Sequence, residues 1–185
     1  GQFTAMEPEL AKALRDGDWD AIVGKAIHNL SKERHQLRQF DPPRHWTRFM
    51  VIDWGTAKPF SVGWYAVSEG AILAQREGWP ERWIPSGALV RYREFYGWDG
   101  KPDKGCRLSS QQVARKILGY EGAELQGSVV VKAPSEVMDY RVGDTEMWAQ
   151  RDGPSVQENM NTATDGLVSL RRSINDRKQN YAEII

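Results

Sequence analysis

The chain has 185 residues, and its 25 Lys and Arg are balanced by 25 Asp and Glu, so the formal net charge is zero. This length suffices for one domain with a hydrophobic core. A protein that binds DNA by charge alone is usually basic, so the neutral balance argues neither for nor against DNA binding, and a DNA enzyme with a carboxylate-rich metal site remains open. No apolar run approaches the roughly 20 residues of a membrane span, and the N-terminus lacks the pattern of a secretory signal. The single cysteine, Cys106, agrees with a reducing cytoplasm.

The first part of the chain, residues 1–45, is predicted to form an arm. A short helix is predicted over residues 7–14, residues 20–40 are polar with scattered apolar positions, and Pro42 and Pro43 then break the chain. No pattern here is strong enough for a separate core. We therefore predict an arm or linker over 1–45 and one domain over 46–185.

Three strands are predicted at the start of this domain. Residues 47–54 form a β-rich, mostly apolar run that is typical of a central buried strand. Residues 60–67 can pair with it in antiparallel fashion, and 71–75 form a short extension. After a loop with two prolines, residues 88–96 alternate apolar and aromatic residues with charged ones, which predicts the third strand.

Two helices in the second half of the chain carry the same start signal. Ser109 and Gln112 have the spacing of a capping box, and an apolar face at helical spacing follows them. Ser155 and Glu158 repeat this pattern at the start of the second helix. A last helix is predicted to begin near residue 175.

The remaining predicted strands complete a mixed architecture. Residues 138–143 form the fourth strand and 167–170 the fifth, so the predicted order is β-β-β-α-β-α-β-α. Three adjacent strands followed by alternating helices and strands predict a five-stranded mixed α/β sheet flanked by helices. This is the element order of the ribonuclease H-like fold.

Two aspartates stand at the ends of strands that this topology makes neighbours. Asp53 lies at the end of the first predicted strand and Asp144 closes the fourth, 91 positions later (144 − 53). Two close carboxylates repel each other unless a proton or cation lies between them, and Mg²⁺ and Mn²⁺ prefer oxygen ligands. A pair of such ions roughly 4 Å apart can activate water for phosphodiester hydrolysis. The structural alternative is that each aspartate forms a turn or caps a helix.

Further candidates are weaker. Glu94 on the third strand and Glu146 after Asp144 could reach the same pocket, although an edge glutamate is usually solvated. The three histidines match no standard zinc spacing. Basic residues that could contact DNA phosphates next to the acidic site are Arg91, Arg93, Arg171 and Arg172, and a solvated surface is their ordinary interpretation.

An ordered set of short motifs runs along nearly the whole chain. In chain order the set is Gly17-Asp18-Trp19-Asp20, His45-Trp46, Asp53-Trp54-Gly55, Pro59-Phe60-Ser61-Val62-Gly63-Trp64, Arg93-Glu94-Phe95-Tyr96-Gly97, Gly143-Asp144 with Trp148, and Gly153-Pro154-Ser155. It closely resembles phage terminase large subunits at the point where the ATPase motor passes into the nuclease.

The resemblance implies a ribonuclease H-like endonuclease that cuts concatemeric viral double-stranded DNA at the start and end of packaging. It implies Mg²⁺ or Mn²⁺ at an acidic cluster to which Asp53 and Asp144 belong. The family's third aspartate lies in a C-terminal helix beyond the end of this sequence, so we expect the site to be incomplete in this chain. The implied partners are DNA, the terminase small subunit and the portal or procapsid, in the host cytoplasm.

Other functions stay open on the sequence. A recombination nuclease or an integrase could use the same fold. The chain could also be a non-catalytic fragment that binds DNA or docks on the portal or motor. A P-loop ATPase is excluded because the sequence contains no GxxxxGK[ST] motif.

Overall fold

The structure is a computed structural model that describes residues 31–150 and 152–174. The chain divides into two compact units, Gly1–Arg38 and Gln39–Ile185, whereas the sequence predicts the arm to end at residue 45. The described part of the first unit contains one helical turn, α1 (Lys32–His35). The helices predicted over 7–14 and after 175 lie outside the described residues.

The second unit contains nine strands within its described part. They are β1 (Thr47–Asp53), β2 (Ser61–Val67), β3 (Ala71–Leu73), β4 (Arg82–Ile84), β5 (Leu89–Tyr96), β6 (Glu124–Gln126), β7 (Val129–Lys132), β8 (Tyr140–Gly143) and β9 (Arg171–Arg172). Five of them form the main sheet in the order β5-β2-β1-β8-β9. β2 is antiparallel to β1 and β5, and β8 is parallel to β1 and β9. The predicted five-stranded mixed α/β sheet is confirmed at this level.

Two α-helices accompany the sheet in the described part of this unit, α2 (Ser110–Tyr120) and α3 (Val156–Thr162), and a 3₁₀ turn spans Thr145–Trp148. Both predicted capping boxes, Ser109 with Gln112 and Ser155 with Glu158, are present. Each leaves fewer backbone N–H groups unpaired at a helix start. No described helix combines the length and the apolar character needed to cross a membrane.

The core lies on one face of the sheet. Met50 and Ile52 on β1 and Trp64 on β2 are buried together with the apolar face of α2. The residues of β1 that alternate with Met50 and Ile52, namely Phe49 and Val51, are only half-buried. β1 is therefore buried at alternate positions and not continuously. This alternation is expected for a sheet that is covered on one face only.

The opposite face carries a row of aromatic rings. The Phe49 ring stacks between those of Tyr65 and Tyr140, with centroid separations of 5.4 and 5.0 Å. The guanidinium of Arg171 lies 5.4 Å from the Tyr140 ring centroid, within the range of a cation–π contact. This face also continues toward the strand ends at which the aspartates lie.

Three parts of the predicted order are corrected. The antiparallel pairs β3–β4 and β6–β7 were not predicted as hairpins, because these strands are short and lie outside the main sheet. The predicted fifth strand over 167–170 is wrong, since the ladder with β8 begins only at Arg171. Val168 and Leu170 are buried in the core without pairing. Their apolar spacing therefore indicates packing against the core and not a strand.

A buried ion pair connects the helix layer with two strands. Glu121, which caps the end of α2, is 1% exposed. It accepts hydrogen bonds from Nη2 and Nε of Arg141 on β8, at 2.5 and 3.3 Å, and from the indole N–H of Trp64 on β2, at 3.1 Å. Removing one partner of such a pair leaves the other charge buried without a counter-ion.

We predict that Arg141→Ala lowers the free energy of unfolding by roughly 3–5 kcal/mol, because Glu121 then loses its cationic partner inside the protein. Urea denaturation measures this change. The matched control is Lys132→Ala, which removes the exposed ion pair with Glu124 and should cost at most about 1 kcal/mol. Equal losses in the two variants would contradict the assigned role of the buried pair.

A second prediction concerns pH. Hydrogen bonds from the backbone and then the hydroxyl of Ser155 lower the pKa of Glu158. This contribution to stability is complete above the unfolded-state pKa and is lost as the pH falls through the lowered folded pKa. Glu158→Gln keeps the capping bonds without the charge, so the variant should lose less stability than wild type between neutral pH and about pH 3. Urea denaturation at several pH values measures this loss. An equal loss of unfolding free energy in Glu158→Gln and in wild type would contradict the prediction.

Candidate functional site

The two aspartates singled out in the sequence occupy adjacent positions at one edge of the sheet. β1 and β8 are parallel, with Ile52 beside Gly143. Asp53 and Asp144 are the next residues along these two strands. Neighbouring strands are separated by about 4.8 Å, so the Cα atoms of the two aspartates lie about 5 Å apart. The prediction that the first and fourth main-sheet strands are neighbours is confirmed.

A close approach by the chain determines where Asp144 lies. A Cβ atom on Gly143 would lie 2.7 Å from Sδ of Met147 and 3.1 Å from a methyl group of Leu170. Glycine at this position therefore lets the side chains of Met147 and Leu170 pack directly against the end of β8, and a larger residue would require them to shift. The 3₁₀ turn begins one residue after Asp144, which fixes the aspartate at the point where the strand stops.

Asp144 also has a structural role. Its Oδ1 atom accepts a hydrogen bond from the backbone N–H of Thr145 at 2.7 Å and a longer one from the Thr145 hydroxyl at 3.4 Å. It is thus the N-cap of the 3₁₀ turn, as the structural alternative predicts. Both bonds use the same carboxylate oxygen, so capping leaves Oδ2 available as a ligand.

Asp53 is exposed at the end of β1, opposite Ser61 on β2. Within residues 31–150 and 152–174, no basic side chain forms an ion pair with Asp53 or Asp144. Two neighbouring carboxylates without a cationic partner favour a bound proton or cation. This donor set, made only of carboxylate oxygens, fits a hard divalent ion such as Mg²⁺ or Mn²⁺.

A third ligand is not found at this edge among the described residues, where no group of three or more His, Cys, Asp or Glu is arranged to hold a metal. Glu94 faces Gly63 on β2, so two strand spacings, roughly 10 Å, separate it from β1. Its carboxylate pairs instead with Nη1 of Arg91 at 3.3 Å. Glu146 is exposed in the first turn of the 3₁₀ helix. A metal role for either glutamate remains a prediction.

The four arginines proposed for DNA contact have different surroundings. Arg93 is directed to the core side, where Nη1 lies 2.6 Å from Glu136 and the guanidinium stacks over Trp64. Arg171 and Arg172 are exposed on β9 and lie over aromatic rings. Arg91 is exposed and paired with Glu94. The geometry thus favours a packing role for Arg93 and leaves the other three accessible.

The structure also brings together a cluster that sequence analysis missed. Glu136 accepts hydrogen bonds from Arg48 at 2.8 Å, from Arg93 at 2.6 Å and from the Tyr92 hydroxyl at 2.8 Å. Burial, and then the hydrogen bond to Glu136, raises the pKa of Tyr92. No local pattern marks Glu136, because it lies in a loop and its three partners come from two distant strands.

We predict that Asp53→Asn raises the unfolding temperature in EDTA by about 2–4 °C, because it removes a repulsion of about 1 kcal/mol between the exposed Asp53 and the partly buried Asp144. Added Mn²⁺ should raise the unfolding temperature of wild type more than that of the variant, since a ligand of the folded state stabilises it. Thermal denaturation measures both effects, with Asp152→Asn as the control for loss of an exposed loop carboxylate. Identical Mn²⁺ shifts in wild type and Asp53→Asn would contradict metal binding at Asp53.

Comparison with known proteins does not assign the chain to a family. No protein-family model, curated protein or solved structure matches the chain. A functional proposal for the chain therefore depends on its own residues: two carboxylates at the ends of neighbouring parallel strands that form no ion pair within the described part of the chain.

Proposed function

We propose that this chain is the metal-dependent nuclease domain of a phage terminase large subunit, which cuts concatemeric double-stranded DNA during genome packaging. The observation that carries the proposal is the adjacency of Asp53 and Asp144 at the ends of β1 and β8. The ordered sequence motifs that resemble terminase large subunits include both Asp53 and Asp144, and this resemblance is the second support for the proposal.

The topology supports a ribonuclease H-like fold. When the five strands of the main sheet are numbered in chain order, the sheet reads 3-2-1-4-5. The second strand is antiparallel to the first and third, and the fourth is parallel to the first. This is the arrangement in which the predicted fold places the first and fourth strands side by side.

The residues at this edge suit metal-assisted hydrolysis of a phosphodiester. Asp53 and the free Oδ2 of Asp144 would hold Mg²⁺ or Mn²⁺, and Thr145 restrains Asp144 through its other oxygen. A pair of bound divalent ions supplies activated water and stabilises the leaving oxygen. The protein's own contribution is to keep two carboxylates at fixed positions on a rigid sheet edge, which preserves the geometry of the ligands.

Partners follow from the same proposal. Double-stranded DNA is the substrate, and the terminase small subunit and the portal are the assembly partners that the family resemblance implies. Activity would take place in the host cytoplasm. Of the four arginines predicted to bind DNA, Arg171 and Arg172 lie on β9, which pairs with β8 and so flanks the strand that ends at Asp144.

We predict that Asp53→Asn and Asp144→Asn each reduce Mn²⁺-dependent cleavage of plasmid DNA by about 100-fold or more, in a protein that also contains the C-terminal helix with the third aspartate that the resemblance implies. Loss of an outer partner of a metal ligand costs about 10- to 100-fold, and loss of the ligand itself should cost at least as much. The assay compares initial rates of plasmid linearisation and nicking.

The matched control is Asp165→Asn, an exposed aspartate with a φ of 49° that asparagine also tolerates. It should cleave at the wild-type rate. Wild-type cleavage by either Asp53→Asn or Asp144→Asn would overturn the assignment of that residue. A protein that contains the implied third aspartate and binds DNA, but cleaves none in Mn²⁺, would overturn the nuclease proposal in favour of DNA docking.

A further inference from the structure

The loop that follows β5, residues 97–107 and here called the lysine loop, is internally ordered. Trp98 and Gly105 form an isolated antiparallel bridge. The indole N–H of Trp98 donates a hydrogen bond to the carbonyl oxygen of Lys101 at 2.6 Å. Oδ1 of Asp99 accepts a hydrogen bond from the backbone N–H of Lys101 at 2.9 Å. These bonds close the loop into a defined turn, so its charged side chains start from fixed backbone positions.

The lysine loop is also packed directly against the loop that follows Asp53. The backbone N–H of Gly105 donates to the carbonyl oxygen of Ala57 at 2.9 Å. A Cβ atom on Gly105 would lie 2.5 Å from the carbonyl oxygens of both Thr56 and Lys58. The two backbones therefore meet at a distance that only glycine permits.

This pair of loops lies beside the two aspartates. Tyr96, the last residue of β5, pairs with Ser61 on β2, and Ser61 pairs with Asp53 on β1. The row crosses two strand spacings, so the lysine loop begins roughly 10 Å from Asp53. Duplex DNA carries about one charge per 1.7 Å of its axis, so a duplex lying along this row would place about six phosphates within that span.

Positive charge is concentrated on these two loops although the chain as a whole is neutral. The cationic side chains are all exposed, namely Lys58, Lys101, Lys104 and Arg107. In the part of the chain that the structure describes, none of them forms a salt bridge. The same loops carry only two carboxylates, Asp99 and Asp103. Asp99 accepts a hydrogen bond from the backbone N–H of Lys101.

We propose that the lysine loop and the Asp53 loop form a phosphate-binding surface that holds double-stranded DNA against the Asp53–Asp144 edge through Lys58, Lys101 and Lys104. The inference rests on the proposed function and assigns DNA contacts that differ from the arginines predicted in the sequence. Unpaired, exposed lysines on a rigid support bind phosphates without reading bases. Binding through this surface is therefore strongly salt-dependent and insensitive to sequence.

The test compares two variants with the same loss of charge, by fluorescence anisotropy with a labelled duplex in EDTA. The first combines Lys58→Gln, Lys101→Gln and Lys104→Gln. The control combines Arg76→Gln, Lys116→Gln and Lys132→Gln, which are exposed residues outside these two loops. We expect Kd to rise at least about tenfold in the first variant alone, and the slope of log K against log salt to fall by about 2.7, or about 0.9 for each lost phosphate contact.

A third variant tests the support and not the charge. Gly105→Ala keeps every lysine but forces the two loops apart, because its Cβ would lie 2.5 Å from backbone oxygens. We expect weaker duplex binding and slower cleavage than in Gly119→Ala, a control in α2 at which the added Cβ would meet only a methyl group of Leu125 at 3.9 Å. Wild-type duplex binding by the triple lysine variant overturns the inference, whatever Gly105→Ala does.

The outcomes separate this inference from the nuclease proposal, because binding is measured in EDTA and cleavage in Mn²⁺. If the triple lysine variant binds as wild type while Asp53→Asn has lost cleavage, the lysine-loop inference fails and the nuclease proposal stands. If the triple variant loses binding while the protein that contains the implied third aspartate cleaves no DNA, the surface binds DNA and the nuclease proposal fails. A wild-type protein that binds no duplex even at low salt overturns the inference and argues for a protein partner.

Discussion

The buried carboxylate of Glu121 joins the helix layer to the sheet. It terminates α2 and accepts hydrogen bonds from Trp64 on β2 and from Arg141 on β8. Desolvating two charges is costly, so such a pair is poor evidence for net stability. Its geometric effect is clearer, because only one position of β8 brings Arg141 to Glu121. We infer that this pair sets the register of β8 relative to β1.

Register determines on which face each side chain lies, because successive residues of a strand point to opposite sides of the sheet. With Arg141 on the core side, Gly143 also lies on that side, against Met147, and Asp144 lies on the other side next to Asp53. A slip of β8 by one residue would exchange the two faces. It would bury Asp144 and expose Arg141. A buried ion pair on one face thus stabilises the placement of a carboxylate pair on the other.

Local signals explain which parts of this arrangement could be predicted from the sequence. The capping box of Ser109 and Gln112 needs only four consecutive residues, and its hydrogen bonds are present as expected. Asp53 stands out in the sequence because a carboxylate at the end of an apolar strand would be costly to bury, whereas in the structure it is exposed. The ladder partner of β8 depends on residues far apart in the chain, and the apolar pattern over 167–170 could not distinguish packing from pairing. Arg93 is predicted to lie at a DNA surface, but it pairs with the buried Trp64 and its guanidinium binds Glu136. The irregularity in β5 skips Tyr92, so Arg91 pairs with Tyr65 instead.

The separation of charge across this sheet edge has a physical consequence for the proposed function. The Debye length is about 8 Å at physiological ionic strength, and the lysine loop begins roughly 10 Å from Asp53 by strand spacing. Exposed charges separated by more than this length are largely screened, so the lysines would leave the proposed metal-binding carboxylates largely unneutralised. A DNA backbone that bridges the interval would meet cationic side chains at one end and a metal-binding pair at the other. A zero net charge is therefore compatible with a DNA enzyme, since attraction of phosphate and binding of metal need opposite charges at separate places.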